Sequence, residues 1–146
     1  MKNLLVLLFI IFLAFTPAEH PNVKGSLNLS GAAIKDIDVS LRKVPGNQIV
    51  ATTKTNEKGS FVFESVEPGN YEIVFSGIQV CPPTNSISGK LMLGQKLFKN
   101  TDIHFYNENA EQVAATVTDA RGNFIFEGFA QGKITMIAQL PSSVFN

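Results

Sequence analysis

Few side chains in this 146-residue sequence are of the types that perform chemistry, because it holds one cysteine and two histidines. Cys81 stands alone, so neither an intrachain disulfide framework nor a multi-cysteine zinc site can form. Cys81 follows an apolar pair of alternating residues, Ile78 and Val80, and buried cysteines are common. We therefore expect Cys81 to be buried, with a disulfide between two chains as the alternative.

His104 lies two residues from both Asp102 and Tyr106, a spacing that puts all three side chains on one face of a strand. Such a row can serve as a surface binding strip. A catalytic histidine needs a nucleophile and an orienting group, and no motif supplies either. No calcium-binding Asp-x-Asp-x-Asp-Gly loop is present. We predict no catalytic residue, no metal site and no cofactor, and we expect the protein not to be an enzyme.

Asn28 begins the triplet Asn28-Leu29-Ser30, which has the form of an N-glycosylation site. We name Asn28 as a glycosylation candidate. The alternative is an unmodified strand asparagine, since such triplets also arise by chance.

The charge balance argues against a nucleic-acid partner. Twelve Lys and Arg residues face twelve Asp and Glu residues, whereas nucleic-acid binding needs a basic patch. The protein partner that we expect instead would be found at the cell surface or in the secretory lumen.

Residues 1–18 have the pattern of a secretory signal peptide. Lys2 precedes an apolar run from Leu4 to Phe15, and small residues end the segment at Thr16-Pro17-Ala18. The apolar run is shorter than the roughly 20 residues that span a bilayer, so we expect no membrane span after cleavage. The chain is thus predicted to be secreted and extracellular, or to reside in the secretory lumen, or in the periplasm if bacterial.

The remaining sequence repeats itself. Segments 50–64 and 113–127 match at a shift of 63 residues, and upstream segments match at a shift of 64. The identities in the first segment are Val50, Ala51, Thr53, Thr55, Gly59, Phe61, Phe63 and Glu64. We predict a first β-sandwich repeat over 19–80, a linker over 81–86 and a second repeat over 87–146, which would be incomplete if it lacks a final strand.

Both repeats have the two-residue alternation of half-buried strands. In the first, Val39 and Leu41 alternate with polar residues, and in the second Ile103 and Phe105 do so. Turn signals separate such runs, and the glycines ending Asn56–Gly59 and Asp119–Gly122 supply positive φ cheaply. The pattern predicts an all-β fold in which each repeat forms a sandwich of short strands.

Each repeat is small for an independent domain, because a chain of about 60 residues buries only about 60% of its unfolded surface. We therefore expect the two repeats to pack together, or Ile78 and Val80 to form part of a strand. A sandwich that lacks a strand would also expose an edge that can pair with another chain, so self-association by edge strands is a further expectation.

The segment Thr55-Asn-Glu-Lys-Gly-Ser-Phe-Val-Phe-Glu-Ser-Val-Glu-Pro-Gly-Asn-Tyr-Glu-Ile73 resembles the carboxypeptidase regulatory-like domain and its transthyretin-like (prealbumin-like) relatives. The second copy matches at Thr118, Asp119, Gly122, Phe124 and Phe126, but has Ala130-Gln131 where the first has Glu67-Pro68. The resemblance implies a seven-strand immunoglobulin-like sandwich that acts as a spacer, stabiliser or adhesive module.

Three functions follow in order of preference. The first is a secreted, non-enzymatic structural or protein-interaction module of adhesion type. The second is a carbohydrate- or small-ligand-binding accessory module, which an outward aromatic cluster or a concave pocket would favour. The third is a small secreted hydrolase, which would need a nucleophile, a histidine and an acid in one place.

Overall fold

The computed structural model describes residues 19–83 and 85–146, so the predicted signal peptide over 1–18 lies outside the described residues. The described part forms twelve strands followed by a short 3-10 helix, Ser142–Phe145. The strands are β1 (Val23–Leu29), β2 (Ala32–Ala33), β3 (Asp38–Lys43), β4 (Ile49–Lys54), β5 (Ser60–Phe63), β6 (Tyr71–Val80), β7 (Ser86–Leu93), β8 (Lys96–Leu97), β9 (Asp102–Tyr106), β10 (Gln112–Val117), β11 (Asn123–Glu127) and β12 (Gly132–Leu140).

The strands form two antiparallel six-stranded sheets, and we call β1–β6 the first half and β7–β12 the second half. In sheet A, β1 and β7 pair at the centre, β2 and β5 flank β1, and β8 and β11 flank β7. Sheet B has the order β10-β9-β12-β6-β3-β4. Each half therefore supplies three strands to each sheet, and the predicted all-β sandwich is confirmed.

The two halves join within both sheets. In sheet A, β1 and β7 pair along seven residues, from Val23 opposite Leu93 to Leu29 opposite Ile87. In sheet B, β6 and β12 pair from Tyr71 opposite Leu140 onward. The expectation that the halves pack together is confirmed, and they do so as continuous sheets.

Ile78 and Val80 extend β6, and both are fully buried. Ile78 lies opposite Ile134 of β12 in the other half. The prediction that these two residues form part of a strand is therefore confirmed. The seven strands per sandwich implied by the resemblance differ from the six that each half has in the described residues.

The alternation predicts the buried face correctly, since Val39, Leu41, Ile103 and Phe105 are all essentially inaccessible to solvent. The buried apolar side chains of the described residues form one cluster that draws on both halves. Such a shared core offsets the small size of each half, because burial of apolar area stabilises roughly in proportion to that area.

Aromatic rings fill the core of each half differently. In the first half, Phe61 meets Phe75 edge to face at a centroid distance of 5.1 Å. In the second half, Phe129 contacts both Phe105 and Phe126, each at 4.9 Å. Edge-to-face and tilted arrangements suit the ring quadrupoles.

The turn before β5 and the turn before β11 have the same construction. The Oδ1 atom of Asn56 accepts hydrogen bonds from backbone N–H groups two and four residues later, at 2.9 and 3.0 Å. The Oδ1 atom of Asp119 does the same at 2.8 and 3.0 Å. Gly59 and Gly122 have φ of +70° and +77°, as the turn signals predict. A Cβ atom at Gly59 would also lie 2.4 Å from the carbonyl oxygen of Leu27 on β1.

Candidate protein-interaction surface

Strands β4 and β10 are the two ends of sheet B, and each pairs with one neighbouring strand among the described residues. An edge strand presents N–H and C=O groups that can pair with a strand of another chain. Each edge also exposes apolar side chains: Ile49 and Val50 are 58% and 42% exposed, and Val113 and Val117 are 48% and 50% exposed. These edges are therefore open to an extended partner segment.

A bulge interrupts each edge at corresponding positions. The register skips Val50 between Leu41 and Arg42 of β3, and it skips Val113 in the pairing of β10 with β9. Bulges twist an edge strand and limit continuous pairing. The stretch that remains regular runs over residues 51–54 in β4 and over 114–117 in β10.

In the first half, a groove of about 600 Å³ opens beside β4, where the edge of sheet B faces β5 of sheet A. Its apolar lining includes Leu41, Val50, Val62, Phe63, Val66 and Tyr71. Val62 at its rim is 43% exposed, whereas Phe63, Val66 and Tyr71 are buried. The groove therefore reaches the hydrophobic core from the side of an open strand.

Tyr71 contributes a polar group to this groove. Its hydroxyl donates a 2.7 Å hydrogen bond to the backbone oxygen of Glu67. Burial, followed by the nearby Glu67 carboxylate, raises the pKa of Tyr71 above its ordinary value of 10.0. Tyr71 hence remains a neutral donor at physiological pH.

A smaller groove of about 440 Å³ occupies the corresponding place in the second half. Val113, Phe126, Phe129 and Ile134 line it at the positions of Val50, Phe63, Val66 and Tyr71. Here the hydroxyl of Thr116 on β10 donates a 3.2 Å hydrogen bond to the backbone oxygen of Ile125 on β11, which ties the two sheets together.

Neither groove was predicted from the sequence, although apolar residues at outward positions are a signal for such surfaces. Val50 and Val62 lie at outward positions of their strands, and Val113 and Ile125 repeat that arrangement at a shift of 63 residues. Apolar residues that recur on an outward face indicate a surface used for contact.

The row of Asp102, His104 and Tyr106 lies on the outer face of sheet B, as the alternation predicts. His104 Nδ1 lies 3.2 Å from Oε1 of Gln112 on the adjacent strand. Among the described residues, no group of three or more His, Cys, Asp and Glu side chains is arranged to hold a metal ion.

Asn28 lies on the outer face of sheet A, where it is half-buried and opposite Ala33 and Ser88. The hydroxyl of Ser30, the third residue of the triplet, accepts a 3.1 Å hydrogen bond from the backbone N–H of Asn85. The outward position of Asn28 is compatible with a glycan, and glycosylation stays a prediction.

Cys81 is exposed, so the prediction of a buried thiol is wrong. Ile78 and Val80 occupy the buried face of β6, and the alternation therefore turns Cys81 outward. Its sulfur lies 3.9 Å from Nε2 of Gln79 on the same surface. The disulfide between two chains stays a prediction.

Residues 23–97, more than half of the chain, match the model of the carboxypeptidase regulatory-like domain. The chain belongs to this family. The matched range covers all of the first half and extends through β7 and β8. It therefore includes the strand of the second half that pairs with β1 in sheet A.

The curated proteins to which the chain is similar include three of Staphylococcus aureus. The Bone sialoprotein-binding protein of strain MRSA252 and the Serine-aspartate repeat-containing protein E of strain MSSA476 are each 33% identical over 54 residues, which is 37% of this chain and 5% of each relative. The Serine-aspartate repeat-containing protein D of strain Newman is 33% identical over the same length, 4% of that relative. The match thus spans about one twentieth of these relatives. No solved structure matches the chain.

No helix in the described residues is both long and apolar enough to cross a membrane.

Proposed function

We propose that this chain is a secreted, non-enzymatic protein-interaction module of adhesion type, built from two tandem β-sandwich repeats over 19–80 and 87–146. One observation carries the proposal: the open edge of β4 lies beside an apolar groove that reaches the core. The family supports it, because the relatives include a protein whose name states that it binds bone sialoprotein.

An extended segment of a partner would add to sheet B along residues 51–54. Main-chain hydrogen bonds would supply affinity, and alternate side chains of the segment would enter the groove and supply specificity. A branched apolar or aromatic side chain of the partner would fit the groove best, because Val50, Val62 and Phe63 line it. The groove is also lined by Lys43, Glu64 and Glu67. These charges favour a partner segment that carries both basic and acidic residues next to its apolar side chain.

The partner would be a protein at the cell surface or in the secretory lumen. This location follows from the signal-peptide pattern over residues 1–18 and agrees with the binding named for one relative. The same edges would also allow two copies of the chain to pair, and Cys81, being exposed, would allow a covalent link between them.

The test compares two charge-bearing double variants at corresponding positions. Val50→Glu with Val62→Glu places carboxylates on the edge and groove of the first half. Val113→Glu with Ile125→Glu makes the same changes at the corresponding exposed positions of the second half. The tagged secreted chain is crosslinked in its native host, purified and analysed by mass spectrometry. We expect the wild type and the second-half variant to recover the same protein, and the first-half variant to lose it.

Two outcomes would overturn the proposal. The first is equal recovery by both double variants when circular dichroism shows both to be folded. The second is recovery of the chain alone. In that case sedimentation of the purified protein, with and without reductant, measures self-association through the edges and through Cys81.

A further inference from the structure

Corresponding rows on the outer face of sheet B differ between the two halves. In the first half, Arg42 of β3 lies opposite Glu72 of β6, and their side chains form an ion pair. Gln139 of β12 continues the row with a 3.3 Å hydrogen bond to Glu72. The first-half row is therefore filled by side chains that bond to one another.

In the second half, the corresponding strands β9 and β12 place Tyr106 opposite Thr135. Neither residue is charged, and Thr135 is much shorter than the glutamate at the corresponding position. The row continues into Ser76 and Gly77 of β6, where the pairing of β6 with β12 changes register. Thr135 and Ser76 thus stand where the first-half row has the long side chains of Glu72 and Gln139, and an aromatic ring stands where it has Arg42.

The result is a depression of about 730 Å³ beside the ring of Tyr106. Its lining includes Gly77, Tyr106, Glu108, Lys133, Thr135 and Ile137. Gly77 has φ of +76°, and a Cβ atom built on it would meet no atom within 4 Å. The floor is therefore open at the glycine and bounded by an aromatic ring on one side.

The lining selects the chemistry of the ligand. The depression lies on the surface of the sheet, so a purely apolar molecule would leave much of its area in water and gain little. Glu108 disfavours an anion, and Lys133 disfavours a cation. A neutral ligand with one C–H face and several hydroxyl groups could pack its C–H face on the Tyr106 ring. Its hydroxyl groups could form hydrogen bonds with Thr135 and with both charged side chains.

We propose that this depression binds a saccharide unit, with the Tyr106 ring against the C–H face of the sugar and with Thr135, Glu108 and Lys133 hydrogen-bonded to its hydroxyl groups. This site is separate from the β4 edge and does not depend on the function proposed for that edge. A monosaccharide has only about twelve non-hydrogen atoms to contribute to binding, so we expect a dissociation constant of roughly 1 mM.

The experiment titrates the ¹⁵N-labelled chain, from residue 19 onward, with maltotriose, cellotriose, chitotriose and N-acetyllactosamine. We expect amide shifts from at least one sugar to cluster at Gly77, Tyr106 and Thr135. Tyr106→Ala should weaken that binding about tenfold or more, a loss of about 1.4 kcal/mol. Arg42→Ala is the matched control, because it changes the corresponding position of the first half, and it should leave the affinity unchanged.

A second variant fills the site without removing side-chain volume. Tyr106→Arg combined with Thr135→Glu transplants the ion pair of the first half, and it should abolish sugar binding while the chain stays folded by circular dichroism. The inference is overturned if no sugar of the panel shifts these amides at about 10 mM. It is also overturned if a sugar binds the Tyr106→Ala chain as well as the wild type. The Val50→Glu/Val62→Glu variant should retain sugar binding, so failure of the edge proposal is distinguishable from failure of this one.

Discussion

The two halves of the molecule agree on their inner faces and in their turns, but they differ on the outer face of sheet B. In the first half, Nζ of Lys54 donates a 2.6 Å hydrogen bond to Oδ1 of Asp38. This hydrogen bond raises the pKa of Lys54 above its ordinary value of 10.5. In the second half, Val117 occupies the place of Lys54 and lies opposite Asp102, so no ion pair can form across that rung. The second cross-strand ion pair of the first half likewise has an uncharged counterpart in the second half.

The two halves thus share the buried contacts that stabilise the fold and differ in the exposed side-chain pairs of sheet B. Thr55 and Thr118 are both buried, and their hydroxyls accept hydrogen bonds of 3.0 and 2.9 Å from corresponding backbone N–H groups. Buried polar groups need such partners, so these positions tolerate little change. Outer-face pairs contribute little to stability, so they can diverge and take up binding.

The largest expected effect comes from core truncations in the two halves. Phe75→Ala and Phe105→Ala each remove a fully buried ring and should lower the free energy of unfolding by about 3–5 kcal/mol. Because the halves share both sheets, each variant should destabilise the whole molecule. Tyr71 and Tyr106, the two tyrosines of a chain without tryptophan, report on one half each. Within each of the Tyr71→Phe and Tyr106→Phe backgrounds, urea unfolding followed by the remaining tyrosine and by far-ultraviolet circular dichroism should give coincident midpoints. Midpoints that differ within one background would show two independent domains.

A smaller loss of stability, equal in the two halves, is expected from substitution of the corresponding threonines Thr55 and Thr118. Thr55→Val leaves the backbone N–H of Ile37 without its acceptor, and Thr118→Val does so for Thr101. Each change should cost about 1–3 kcal/mol, because a buried donor loses its hydrogen bond. Thr52→Val on the exposed edge is the control and should change stability by less than about 0.5 kcal/mol. Unequal losses at the two threonines, measured by thermal unfolding, would contradict the equivalence of the halves.

The outer-face pairs should differ in their coupling. A double-mutant cycle on Arg42 and Glu72 should give a coupling of about 0.5–1 kcal/mol that falls with added salt, since the side chains are 27% and 18% exposed. The same cycle on Tyr106 and Thr135 should give a coupling near zero at every salt concentration. Similar values in both cycles would remove the distinction between the two rows.

The smallest effect is a pH dependence confined to one turn. Hydrogen bonds from the backbone N–H groups of Arg121 and Asn123 lower the pKa of Asp119 below its ordinary value of 3.8. The carboxylate therefore stabilises the folded chain above the unfolded-state pKa, and this contribution is lost as the pH falls through the folded-state pKa. Asp119→Asn makes the turn like that of Asn56, so the difference in stability between variant and wild type should shrink between pH 5 and pH 2. A difference that does not change with pH would contradict this account.

The strands and their buried faces could be predicted because alternation is a local signal. Phe61, Phe63, Ile73 and Phe75 are all buried as the two-residue period predicts. The partner of each strand could not be predicted in the same way, since a period of two assigns faces and not neighbours. The pairing of β1 with β7 therefore had to come from the structure. The predicted burial of Cys81 was wrong because it rested on the apolar character of Ile78 and Val80 alone. Those two residues lie on the buried face of β6, so the next residue, Cys81, points to the opposite face.

The candidate sites were harder to predict than the fold. Asn28, His104 and Tyr106 were identified as outward residues, which the structure agrees with. The depression beside Tyr106 depends on Gly77, which lies in the other half and far away in the sequence. The depression forms between residues that come together only in the folded sheet, so no local sequence pattern predicts it.

The joining of the halves also has a consequence for the order in which the chain can fold. Pairing partners of β1 lie on β7, more than 50 residues later, and those of β6 lie on β12 at a similar separation. Contacts between such distant residues slow folding. The first half, once synthesised, would hold one edge of β1 open until β7 emerged and one edge of β6 open until β12 emerged. A chain shortened before β12 would therefore leave one edge of β6 open to a strand of another molecule.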